Sequence, residues 1–141
     1  MQEGYDNSGL LVGHPETEIG AALLCVDVTD DVMDEAVKLG AGLVISHHPI
    51  IFNPIRRLTG RDHVERLVER AVRENIAVYA CHTNLDSVPG GLSYKLAGTL
   101  DVKDVRLLGA PSPVDPNAGF GVIGRLESPV EPMEYLRSVK R

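Results

Sequence analysis

The chain has 141 residues, 43% of them hydrophobic and 24% charged, with a formal net charge of −6. That length builds one domain with a real core, and the acidic balance argues against non-specific nucleic-acid binding, which needs a basic surface. No apolar run approaches the roughly 20 residues that span a bilayer, and no signal-peptide pattern opens the chain, so a cytoplasmic protein with no nucleic-acid or membrane partner is expected. The cysteines, Cys25 and Cys81, fall in predicted strands without a CxxC spacing. Buried, reduced thiols are the expectation, rather than a disulfide or a thiolate zinc site.

In chain order, Asp6-Asn7-Ser8-Gly9 has turn chemistry, and Gly9 to Gly13 reads as a short strand. Gly20 to Val28 is a second strand, so nearly apolar that cover on both faces is expected. Thr29 or Asp30 caps a helix from about Asp31 to Leu39, with Gly40 as its C′ residue. Gly42 to Ser46 is a core strand that runs into His47-His48 and is stopped by Pro49, which cannot donate to a ladder. After an irregular stretch to Gly60, Val64, Leu67, Val68, Ala71 and Val72 repeat at helical spacing. Asp62 and Glu65 have the spacing of a capping box for that helix, and Asn75 is its stop. Ile76 to Cys81 is the next strand and leads directly into His82-Thr83-Asn84-Leu85-Asp86. Pro89-Gly90-Gly91 opens a short helix to about Ala97, either as a plain loop or as a phosphate cradle. Val102 to Leu108 is extended, residues 110–117 are Pro-rich, and Gly119 to Glu127 is another strand. Pro132 starts a helix that no glycine or cap closes, so a chain cut inside a helix is the expectation.

Strands alternate with amphipathic helices, which predicts an α/β fold with a mostly parallel sheet flanked by helices. The expected organisation is an α/β lobe over residues 1–109, a Pro-rich linker at 110–118, and the start of a further segment at 119–141.

The polar chemistry collects at strand carboxyl ends, where open parallel sheets bind ligands. His47, His48 and His82 end two core strands, Asp86 lies four residues past His82, and Asp27 closes a third strand. Neighbours on an extended backbone face opposite ways. His47 and His48 therefore share a site only as ligands of neighbouring ions, or if a turn starts at His48. Imidazole and carboxylate donors without thiolates suit Zn, Fe, Mn, Co or Ni, and a bridging carboxylate is the usual partner of a two-metal water-activating centre. Each residue also has a structural role open to it. The pair could be surface histidines, His82 a hydrogen-bonded core residue, Asp86 a cap, and Asp27 the orienter of a turn. His14 and His63 read as solvated.

Asp6-Asn7-Ser8-Gly9-Leu10-Leu11-Val12-Gly13, Cys25-Val26-Asp27-Val28-Thr29, Ser46-His47-His48-Pro49-Ile50-Ile51-Phe52 and His82-Thr83-Asn84-Leu85-Asp86 with Gly90-Gly91 occur in this order. Together they resemble the Nif-three-like family of dinuclear metal proteins, whose members go by the name GTP cyclohydrolase I type 2. The resemblance covers nearly the whole chain, and the combination of Ser-His-His-Pro with His-Thr-Asn-Leu-Asp is what makes it specific. It implies a two-lobed Nif-three-like fold, a toroidal homohexamer for the full-length family, and two divalent metal ions at the strand ends. His47 and His48 would each bind one ion, and Asp86 would bridge them. His82 would face substrate or support a ligand, as the catalytic residue of the set, while Asp6 and Asn7 would line the site. The family draws its remaining ligands, a His and a Glu four residues later, from a distal segment. No histidine follows His82 here, and the helix expected before the Asp-Asn motif is absent, so a half-built site on a truncated chain is expected.

The function expected is hydrolysis of a small phosphorylated or heterocyclic substrate by metal-activated water. The alternative is a non-catalytic metal-binding scaffold.

Overall fold

The computed structural model describes residues 4–140. The chain forms two compact units, one ending at Asn84 and the other beginning at Leu85.

The first unit is built on a four-stranded sheet. Its strands are β1 (Gly9–Val12), β2 (Ala22–Cys25), β3 (Leu43–Ser46) and β4 (Ala77–Ala80), in the order β1-β4-β3-β2. β2, β3 and β4 pair in parallel, and β1 pairs antiparallel with β4, so the mostly parallel sheet expected from the sequence carries one antiparallel edge. Helices α1 (Asp30–Leu39) and α2 (His63–Arg73) make the two crossovers. Thr29 caps α1 by accepting from the Val32 amide, and Gly40 ends it in the left-handed conformation that a residue without Cβ adopts freely.

α2 is capped by Asp62, which accepts from the Glu65 amide. The other half of the predicted capping box does not form. Glu65 turns back instead to the amides of Thr59 and Arg61, at 3.1 Å each, and so holds the preceding loop rather than its own cap residue.

Met33 and Ala36 of α1 and Leu67, Val68 and Ala71 of α2 pack with Val12, Val44 and Val78 in one core. Both crossovers advance the same way along the sheet and have one hand, so both helices land on the same face. This corrects the expectation that β2 is covered on both faces. β2 is an edge strand, and Leu24 on it is 76% exposed. The register aligns Leu24 with Ile45, Tyr79 and Leu10 on the face opposite the two helices.

The second unit begins within α3 (Thr83–Ser87), a short helix not expected from the sequence. It continues with α4 (Leu92–Thr99), the antiparallel pair β5 (Lys103–Leu107) and β6 (Val122–Arg125), and α5 (Pro132–Val139), with Pro132 in its first turn. The Pro-rich segment at 110–118 lies inside this unit. It connects two strands of one sheet, with Lys103 opposite Arg125. Gly90 and Gly91 serve the turn before α4. The Gly91 amide donates to Val88 O at 3.0 Å, and a Cβ on Gly91 would stand 2.0 Å from the Leu85 carbonyl oxygen. No helix of the described residues is long and apolar enough to cross a membrane.

Candidate metal centre

The site is assembled at the carboxyl edge of the parallel strands in the first unit. His47 and His48 follow β3 directly, and His82 follows β4 after one residue. The three imidazoles meet there, with ring centroids 4.9 Å apart for His47 and His48, 5.5 Å for His47 and His82, and 5.9 Å for His48 and His82.

Adjacent histidines share one site because the strand has stopped alternating. The amides of His47 and His48 both donate toward the end of β2, to Cys25 O at 3.1 Å and Val26 O at 2.9 Å. In a regular strand, successive N–H groups point to opposite edges. A turn therefore starts here, and Ser46 Oγ closes it by donating to His48 O at 2.7 Å. This is the second of the two resolutions that the sequence left open.

Each ring is held at Nδ1 by a different acceptor. His47 Nδ1 donates to the Cys81 carbonyl at 2.9 Å, His48 Nδ1 to Asp27 Oδ1 at 2.7 Å, and His82 Nδ1 to Asp6 Oδ1 at 2.6 Å. An acceptor at Nδ1 selects the tautomer with the proton there and leaves the Nε2 lone pair for a metal ion or a proton. This arrangement is the one used around metal-binding histidines, where the outer partner fixes ring orientation and raises ligand basicity.

Asp6 is the most constrained member. Burial raises its carboxyl, but hydrogen bonds from Thr83, His82, Ser8 and the Asn7 amide outweigh that effect and hold it well below the usual carboxylate range. The Asn7 amide and Ser8 Oγ each lie 2.7 Å from it, and the Thr83 hydroxyl and amide complete its set. Asn7 Nδ2 donates to Ile51 O at 2.5 Å and so ties the Asp-Asn turn to the loop after His48. Phe52 on that loop stands edge-on to His82 at 6.3 Å.

The donors are of the right kind for a divalent ion, yet few in number. Among the described residues, no group of three or more His, Cys, Asp or Glu side chains is drawn close enough to hold a metal. Asp86, on α3, belongs to the second unit, and its buried Oδ1 has no hydrogen-bond partner. His14 and His63 are exposed, as expected. Cys25 and Cys81 are free but only half-buried, Cys81 serving through its carbonyl.

Asp27 is the residue that sequence reasoning undervalued, since it orients His48 rather than a backbone turn. The Cys81 carbonyl was invisible in principle, because backbone carries no residue-type information. The one available clue was that all these positions lie at strand ends of a single edge.

The family profile of DUF34/NIF3 (NGG1p interacting factor 3) matches residues 1–141. A Clostridium perfringens protein named GTP cyclohydrolase 1 type 2 homolog is 35% identical over 140 residues, covering 99% of this chain and 53% of that one. Among solved structures, the Bacillus cereus protein related to NIF3 matches at a TM-score of 0.73 and 34% identity, over 79% of this chain and 31% of that one. Staphylococcus aureus protein SA1388 shares the fold at a TM-score of 0.87 and 23% identity, over 98% of this chain and 57% of that one. The chain spans about half the length, or less, of the curated relatives it matches. With the Asp-Asn turn, the Ser-His-His-Pro turn and the His-Thr-Asn-Leu-Asp segment all in place, the chain belongs to the DUF34/NIF3 family.

Proposed function

We propose that this chain carries the histidine-rich half of a dinuclear metal centre that hydrolyses a small phosphorylated or heterocyclic substrate. His47 and His48 would be metal ligands and Asp86 the carboxylate ligand, with His82 as the catalytic proton carrier. One observation supports this above the others: three clustered imidazoles each have Nδ1 engaged and Nε2 without a hydrogen bond among the described residues.

Two divalent ions of the Zn, Fe, Mn, Co or Ni kind would supply Lewis acidity and a more acidic water. The protein supplies the rest. Asp27 and the Cys81 carbonyl aim the two ligand rings. Asp6, kept ionised by its four partners, holds the His82 proton at Nδ1 and stabilises the imidazolium formed when Nε2 takes a second proton. Phe52 narrows access to His82 on one side. Free Cys25 and Cys81 fit a reducing, cytoplasmic setting. The name of the relatives makes GTP the first substrate to try.

The second reading is a metal-binding scaffold without turnover. Elemental analysis, with a panel of nucleotides and phosphoesters, separates the two. About two metals per chain at the relatives' full length, and turnover lost in His47→Ala and His82→Ala, is the outcome expected for the enzyme. Bound metal without turnover across the panel would favour the scaffold, and a metal-free full-length protein would end both readings.

A further inference from the structure

We infer that the loop between β3 and α2 is an anion-binding arm of this site, where Arg56 and Arg57 take the phosphate group of the substrate. The inference rests on the reading of the substrate as a small phosphorylated molecule.

Residues 47–62 contain no helix or strand, and a connection this long inside a compact unit is uncommon and is either functional or a loose linker. The loop is nevertheless anchored. Ile50, Ile51 and Ile55 pack against the core, and Asn7 holds the Ile51 carbonyl. Buried Glu65 gathers the far end, accepting from the Thr59 amide, the Thr59 hydroxyl, the Arg61 amide and the Arg61 guanidinium at 2.9–3.2 Å. The Thr59 and Arg61 amides, the Thr59 hydroxyl and the Arg61 charge lower its carboxyl and keep it ionised.

This loop lines a cavity of about 820 Å³, within the range of small-molecule sites. The carboxylates on its wall already have partners. Glu65 is filled by the donors above, Asp62 caps α2, and Arg61 lies against both. Arg56 and Arg57 line the same cavity and are exposed, with no hydrogen bond or ion pair among the described residues. Two neighbouring guanidinium groups thus stand uncompensated on an anchored loop of an acidic chain. Their planar forks match phosphate oxygens in pairs.

The cavity borders the histidine cluster, although none of the three clustered rings lines it. Pro49, which follows His48, and Phe52, which stands against His82, both line it. An anion seated on Arg56 and Arg57 would extend the rest of its molecule past Phe52 and Pro49 toward the imidazole cluster.

The test is calorimetric titration of the full chain with inorganic pyrophosphate, before and after chelator treatment. The variants are Arg56→Ala/Arg57→Ala, Arg56→Lys/Arg57→Lys and His47→Ala/His48→Ala. Pyrophosphate binding that survives chelation and the histidine variant, weakens at least tenfold in the alanine pair and is partly restored in the lysine pair is expected. The melting temperature of the alanine pair should match the parent, since both side chains are exposed. Absent binding, or binding equal in the alanine pair, overturns the inference. Binding that needs metal and the histidines but not the arginines overturns it too, and leaves the dinuclear reading intact. Arginine-dependent binding in a protein that never takes up metal keeps the anion arm and removes the dinuclear reading. Tighter arginine-dependent binding of a single-stranded oligonucleotide than of pyrophosphate would also overturn it.

Discussion

Two corners of the histidine cluster are built from the same pair of residue types. At one, His82 meets Asp6 at 2.6 Å, with side-chain exposures of 22% and 0%. At the other, His48 meets Asp27 at 2.7 Å, with exposures of 50% and 62%. The distances are alike and the environments are not. Asp6 is enclosed by Thr83, Ser8 and Asn7, so its charge is held by protein donors alone. Asp27 keeps most of its contact with water, which screens the pair. The Asp6 corner therefore ties the fold together as well as aiming a ring, while the Asp27 corner only aims a ring.

The largest effect should come from Asp6→Asn. It takes a buried carboxylate away from the donors of four residues, and urea unfolding at pH 7 should show a loss of about 2–4 kcal/mol. A loss as small as that of Asp27→Asn would erase the contrast between the corners. Acid should report the same asymmetry. The folded carboxyl of Asp6 titrates below its ordinary value of 3.8. Its contribution is then complete above that value and is lost as pH falls beneath it. Wild-type stability should drop in that window, and the drop should be shallower in Asp6→Asn. Equal slopes in denaturant titrations at successive pH values would refute the assignment.

Thr83→Val sharpens the picture by removing one donor from Asp6 and keeping shape, at a cost of about 1–2 kcal/mol in the same assay. At the exposed corner, Asp27→Asn should change stability by no more than about 0.5 kcal/mol, and added salt should shrink even that. Metal uptake should respond instead, with affinity lower by roughly tenfold or more in the full-length protein, because His48 loses its orienting carboxylate. A large stability loss with unchanged metal affinity would reverse the roles given to the two corners.

Much of the fold was readable locally. The periodic Val64, Leu67, Val68 and Ala71, the Asp62 cap, the Thr29 cap and the Gly40 stop are all short-range features, and they form α1 and α2 as expected. The cover on β2 was not readable. A run of apolar residues reports burial preference, while which face receives a helix depends on crossover direction and strand order. The pairing across the Pro-rich stretch was not readable for a similar reason. Pro111, Pro113 and Pro116 mark an irregular connection, yet nothing local tells that β5 and β6 on either side pair with each other.

The sequence by itself determined the ingredients: His47, His48 and His82 at the ends of apolar strands, a turn at Asp6 to Gly9, and family motifs in their order. These follow from alternation, periodicity and turn chemistry, which act over a few residues. Only the tertiary structure decided which acceptor each ring would meet. His48 takes Asp27 from 21 residues away, His47 the Cys81 carbonyl from 34, and His82 takes Asp6 from 76. Such partners are chosen by strand order and register, which bring together strand ends that the chain itself keeps far apart.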